Sequence, residues 1–128
     1  MRLLPDTHLL LWGAVAPERL SALARRLISD EQHELFYSAA SLWEVAIKIA
    51  LGKRDFTTGV AHLRERLLAN GYQELPVTGR HAVAVAGLPL IHKDPFDRLL
   101  VAQALVEDIT LLTVDARLAR YPAPVRLV

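Results

Sequence analysis

No cysteine occurs in these 128 residues, which removes disulfides, zinc–thiolate fingers and thiol nucleophiles together. Long apolar runs are equally absent. The richest, Leu9–Trp12, falls far short of the roughly 18–20 residues needed to span a bilayer. The amino-terminal stretch lacks the basic, apolar and small-residue layout of a secretory signal, so a cytoplasmic protein with no membrane partner is expected. Neither sign of charge dominates: 15 Lys and Arg stand against 14 Asp and Glu, a formal net charge of +1. A generally polycationic surface is thereby excluded, and a nucleic-acid substrate is reachable only through a local patch or through metal ions. The five histidines show neither H-E-x-x-H nor paired i, i+4 spacing, which argues against zinc. Glycine-rich phosphate loops and the G-x-S-x-G elbow are missing too, which argues against nucleotide cofactors and a serine nucleophile.

What is present is a chain that is 52% hydrophobic and 23% charged, the composition of a folded domain. It has no internal repeat, low-complexity tract or Gly/Ser linker, so residues 1–128 are read as one domain. Strand-length apolar runs alternate with helix-length amphipathic stretches, the pattern of an α/β fold with a short parallel sheet flanked by helices. About five strands are expected, at Arg2–Pro5, Glu34–Tyr37, Glu74–Val77, Thr110–Val114 and, weakly, Val125–Leu127. The expected helices are Thr7–Ala14, Ser21–Ser29, Ser41–Leu51, Val60–Ala69, Gly79–Ala86, Phe96–Glu107 and Ala116–Arg120. Ser21 and Thr78 have the chemistry of N-caps, and Gly52 and Gly71 that of helix stops. Ala82–Leu88 alternates like a strand, yet its alanines and the Gly87/Pro89 stop favour a small-residue helix.

The chemistry resides in the acids. Asp6 and Asp115 each end a strand and open a helix, so each is an N-cap or part of a site; two such acids at the carboxyl ends of neighbouring strands favour a site. Glu44 has a capping-box reading with Ser41 as N-cap, which would place it in the first turn of its helix. Against that, residues 42–51 are apolar almost all round, and a buried carboxylate needs a partner, with Lys48 one turn on. In Asp94-Pro95-Phe96-Asp97, Asp94 fits an N-cap with proline behind it, whereas Asp97 falls on the first helical turn and points into a cleft. Arg98 is a phosphate contact or a surface ion pair, and His92 reads as a plain loop residue. Converging carboxylates repel one another unless a hard, oxygen-preferring cation sits among them, which points to a small metal-dependent phosphodiesterase. A phosphoaspartyl phosphohydrolase would need a second Asp where His8 stands, and a receiver-like domain needs an acidic pair on its first strand that this chain does not show.

Four stretches resemble the PIN-domain family: Asp6-Thr7-His8-Leu9-Leu10-Leu11-Trp12; Ser38 to Lys48; Asp94-Pro95-Phe96-Asp97-Arg98 to Ala104; and Thr113-Val114-Asp115. Within that family they look like the VapC toxins of bacterial toxin–antitoxin pairs, in the right order and over essentially the whole chain. The resemblance implies a four-acid centre of Asp6, Glu44, Asp97 and Asp115 that binds Mg²⁺ or Mn²⁺ and hydrolyses RNA phosphodiesters. It also implies a homodimer and inhibition by a cognate antitoxin, an arginine of which can pair with the acids. Operator DNA is then bound only indirectly, through the antitoxin. The alternative is a catalytically weak PIN scaffold acting mainly by antitoxin binding and operator autoregulation. Two positions depart from the family pattern. Pro5 replaces an aliphatic residue and predicts a bulge or strand end, and the segment after Asp115 lacks the aromatic and extra polar residues of many relatives. Some of Leu9, Leu10, Leu11, Trp12, Trp43, Ile47 and Ile49 are expected to form an exposed apolar patch suited to an interface.

Overall fold

All five strands run parallel, in the order β3-β2-β1-β4-β5. The computed structural model describes residues 1–54 and 56–128. Its strands are β1 (Arg2–Pro5), β2 (Glu34–Ser38), β3 (Gln73–Leu75), β4 (Thr110–Thr113) and β5 (Val125–Leu127). Its α-helices are α1 (Thr7–Val15), α2 (Ala22–Ser29), α3 (Ala39–Ala50), α4 (Val60–Ala69), α5 (Gly79–Ala86) and α6 (Pro95–Glu107). The α/β architecture with a five-stranded parallel sheet is the one expected from the alternation of apolar runs. None of the described helices is long and apolar enough to cross a membrane.

The central strands are buried on both faces, which explains why they read as unbroken apolar runs. Leu4 and Leu111 point to one side and pack with Leu100, Val101 and Ala104 of α6. Their neighbours Leu3 and Leu112 point to the other, against Leu9 of α1 and Ala24 and Leu27 of α2. A further cluster joins Leu10 and Leu11 of α1 to Tyr37, Val45, Leu63 and Leu67. Leu9, Leu10 and Leu11 are therefore core, and so contribute nothing to an exposed patch. Of the seven residues expected to supply one, Trp43 alone is exposed, at 62%.

Several boundaries move for local reasons. β2 passes straight into α3 at Ser38, whose hydroxyl accepts from Ala40 N, so Ser38 and not Ser41 is the N-cap. β3 stops at Leu75 because Pro76, next in line, has no N–H to offer a ladder. The expected helix Ala116–Arg120 shrinks to a 3-10 turn over Leu118–Arg120. Ser21 and Thr78 cap α2 and α5 as their chemistry suggests, and Gly52 and Gly71 take φ of +69° and +86° just past α3 and α4.

Pro5 is accommodated without a cis bond. β1 pairs with β4 as far as Pro5↔Leu112, and Asp6 N continues toward Leu112 O at 2.9 Å. Pairing with β2 is confined to Arg2↔Glu34 and Leu3↔Leu35. Because successive N–H groups face opposite neighbours, the proline nitrogen faces β2 where that ladder has already ended. The expected strand end is thus present on one side of β1 only. The chain fills the sheet outward from β1 through β2 to β3, then returns to place β4 on the other side. The gap between the carboxyl ends of β1 and β4 is the topological switch point, where open parallel sheets bind their ligands.

Candidate metal centre

Asp6 is the residue after β1 and caps α1, its Oδ1 accepting from Leu9 N at 3.0 Å. Its other oxygen accepts from the Thr113 hydroxyl at 2.6 Å, across the switch point. Asp6 is thus a cap through one oxygen and reaches across the switch point with the other. Burial pushes the Asp6 carboxyl up, the bonds from Thr113 and Leu9 N and the charge of His8 oppose that, and Glu44 adds repulsion.

Glu44 is the sixth residue of α3, in the second turn, so the capping-box reading fails. The side chain is buried at 3% exposure and held at both oxygens. Thr7 donates to Oε1 at 2.6 Å, and Lys48 Nζ lies 2.6 Å from Oε2 in an i, i+4 ion pair. Ser41, freed from capping, bonds the same Thr7 hydroxyl at 3.0 Å. A buried carboxylate thus has the charged partner that burial demands.

Asp94 caps α6 through bonds from Phe96 N and Asp97 N at 2.8 and 3.2 Å, as Asp-Pro spacing indicates. Asp97, third in the helix, is left with a different fate. Its carboxylate accepts no hydrogen bond from the described residues, and burial, followed by repulsion from Asp94, Asp6, Glu44 and Asp115, pushes its pKa up to about 7. Asp115 is the opposite case. Arg117 grips it from Nε and Nη2 at 3.0 and 2.8 Å, and its pKa is driven well below the usual carboxylate range, chiefly by that bond.

His92 is the residue that sequence reasoning undervalued. It is mostly buried, with Nε2 3.0 Å from Asp115 Oδ2 and 3.4 Å from Asp97 Oδ2. Its Nδ1 accepts from Asp94 N at 3.0 Å, so the ring proton sits on Nε2 and faces the two acids. His92, Asp97 and Asp115 bring one donor atom each within 4.8 Å of one another. Arg98, by contrast, is structural: it donates to Pro89 O, Val85 O and the Tyr121 hydroxyl, and so is no phosphate contact here. Thr7, Thr113 and Lys48 support the acids; the signal for Lys48 was its spacing from Glu44, while the threonines follow acids or strand ends without any distinguishing pattern.

The four carboxylates fit a divalent cation on chemical grounds. They are hard oxygen donors, repulsion from Asp6, Glu44 and Asp115 converges on Asp97, and among the described residues Asp97 forms no ion pair with Lys or Arg, only a 3.4 Å approach to His92 Nε2. A concavity of about 600 Å³ lies elsewhere, among Glu34, Gly71, Tyr72 and Gln73 at the amino ends of β2 and β3. That is the wrong end of a parallel sheet for a ligand. Beside the acids, Trp43, Ala82, Val85, Pro95, Phe96 and Leu99 line an apolar groove of about 300 Å³.

Comparison with known proteins bears on the same region. The family model of the PIN domain matches residues 3–124. The ribonuclease VapC22 of Mycobacterium tuberculosis (strain ATCC 25618 / H37Rv) is 31% identical over 123 residues, spanning 94% of this chain and 93% of that protein. Among solved structures, VapBC2 from Rickettsia felis bound to a DNA fragment from its promoter superposes with a TM-score of 0.72 at 14% identity, over 99% of this chain and 98% of that one. DNA-bound VapBC from Salmonella typhimurium gives 0.69 at 14% identity, over 100% and 97%. At such identities the structural likeness speaks for the fold.

Proposed function

This chain belongs to the PIN-domain family, and from that premise we propose that it is a divalent-metal-dependent endoribonuclease, the toxin of a toxin–antitoxin pair. The observation that carries the reading is Asp97, a carboxylate that accepts no hydrogen bond from the described residues and is repelled by Asp6, Glu44 and Asp115. Asp6, Glu44, Asp97 and Asp115 are the residues proposed to hold Mg²⁺ or Mn²⁺. Such a cation, when bound, activates water and neutralises charge on the scissile phosphate and the leaving oxygen.

The chain's own residues prepare that site. Thr113 fixes one oxygen of Asp6 and Leu9 N the other, which leaves each oxygen with acceptor capacity to spare. Lys48 and Thr7 hold one oxygen of Glu44 each and so fix its side chain. His92 directs its Nε2–H at Asp115 and toward Asp97, lining the mouth of the site with a donor suited to an anionic oxygen. Negative charge gathered in the cleft repels RNA until a cation is present, so substrate affinity and metal occupancy are coupled.

The two solved structures named above are VapBC assemblies bound to DNA. By that analogy this chain is proposed to form a homodimer, to be blocked by a cognate antitoxin, and to meet operator DNA only through it. The exposed Trp43, edge-on to Phe96 at 5.2 Å in the apolar groove, supports a protein interface beside the site.

The test is digestion of total RNA by the purified chain, with mapping of the cut ends. Cleavage should require Mg²⁺ or Mn²⁺, stop on chelation, and be lost in Asp97→Asn. Full activity in excess chelator would overturn the metal mechanism, and absence of cleavage under every metal condition would leave the scaffold reading in its place.

A further inference from the structure

The four acids are unequally satisfied. A carboxylate has about four lone-pair sites for hydrogen bonds or metal ions. Asp6 uses two of them, for Leu9 N and Thr113, and Glu44 uses two, for Thr7 and Lys48. Asp97 uses none among the described residues. Asp115 uses all four: Oδ1 accepts from Arg117 N at 2.9 Å and Arg117 Nε at 3.0 Å, and Oδ2 bonds Arg117 Nη2 at 2.8 Å and His92 Nε2 at 3.0 Å.

Charge follows the same division. Lys48 compensates Glu44 and Arg117 compensates Asp115, each as a close ion pair. Among the described residues neither Asp6 nor Asp97 forms an ion pair with Lys or Arg, Asp97 having only His92 Nε2 at 3.4 Å, and their two negative charges match a single divalent ion. The partner of Asp115 is also the more easily removed. Arg117 is 61% exposed and reaches Asp115 from only two residues along a turn, so its side chain leaves without disturbing the core. His92, in contrast, is pinned by Asp94 N and by the Tyr121 hydroxyl, which accepts from His92 N at 2.8 Å.

We propose that Arg117 is a latch that holds Asp115 out of the ligand set, so that without RNA the protein takes one divalent cation, on Asp6 and Asp97, and the half of the site that includes Asp115 stays closed. The inference rests on the metal-site reading above and adds to it a positioning residue and a stoichiometry. A guanidinium fork pairs with phosphate as readily as with carboxylate, so an incoming phosphodiester is the natural competitor that draws Arg117 away.

The experiment is a Mn²⁺ titration followed by electron paramagnetic resonance of the free ion, on the purified chain without RNA. The readout is the number of ions bound, which a merely structural arginine would not change. The parent should bind one Mn²⁺, Arg117→Ala two, and Arg117→Ala combined with Asp115→Asn one again. Matching thermal melts confirm that the variants are folded. Equal stoichiometry in the parent and Arg117→Ala overturns the latch, as does a second ion that survives loss of the Asp115 carboxylate. No Mn²⁺ bound by any of the three overturns the metal-site reading itself, a result distinct from failure of the latch alone.

Discussion

Thr113 and Asp6, 107 residues apart in sequence, are joined by a 2.6 Å hydrogen bond in which the buried hydroxyl donates to Asp6 Oδ2. The same hydroxyl oxygen accepts from Asp115 N at 3.1 Å. One side chain at the end of β4 therefore sets the position of the acid after β1 and of Asp115, two residues beyond its own strand.

This relationship predicts that Thr113→Val, nearly isosteric but without the hydroxyl, weakens Mg²⁺ binding and RNA cleavage by roughly 10–100-fold, the usual effect of removing a partner of a metal ligand. Stability should fall by about 1–3 kcal/mol, because a buried Asp6 oxygen and the Asp115 N–H both lose a partner. Thr113→Ser should retain most of both properties. Metal titration calorimetry and denaturant unfolding of the two variants check this, and equal behaviour of Val and Ser would refute it.

The elements that hold the acids were legible because their signals are local. Apolar runs ending in Asp6 and near Asp115 mark strand ends, and Asp94-Pro95 marks the start of α6 two residues before Asp97. Where two local signals compete, sequence alone misassigns. Ser38 and Ser41 are both able to cap, and the choice falls to Ser38 because β2 runs on to that residue and leaves no loop to place a later cap. His92 was illegible for another reason. Its role depends on Nε2 landing between Asp97 and Asp115, and the latter lies 23 residues away on a different element. Nothing in Ile91-His92-Lys93 encodes that. The buried ion pair of Glu44 with Lys48 was readable from spacing, whereas the four-donor grip on Asp115 was not.

The stability of the metal-free protein should depend on pH through Asp97. Its folded pKa of about 7 lies above the ordinary value of 3.8, so its contribution to stability is fully present below about pH 4 and is lost as pH rises through about 7. Asn at this position cannot ionise. Asp97→Asn should therefore match the parent below about pH 4 and exceed it by on the order of 1–3 kcal/mol at pH 8 in chelator. Asp94→Asn, which keeps the cap, should show a smaller growing difference, because it removes only the Asp94 share of the repulsion on Asp97. Thermal melts across that range decide it; a difference that shrinks with rising pH would mean the acid is not strained in the empty site.

Lys48 offers the last test, because it is the cation the protein supplies to its own buried acid. Lys48→Met leaves Glu44 charged, buried and bonded only to Thr7, and breaking such a pair from one side costs about 3–5 kcal/mol. Two rescues are expected to recover part of that loss. Glu44→Gln in the same chain removes the stranded charge, and a double-mutant cycle should return a coupling of about 2 kcal/mol or more. Mg²⁺ should also stabilise Lys48→Met more than it stabilises the parent, since a divalent ion takes over compensation of Glu44 only where the lysine no longer does so. If Mg²⁺ raises the melting temperature of the two proteins equally, Glu44 lies outside the reach of the bound metal, and its part in the centre is confined to shaping α3.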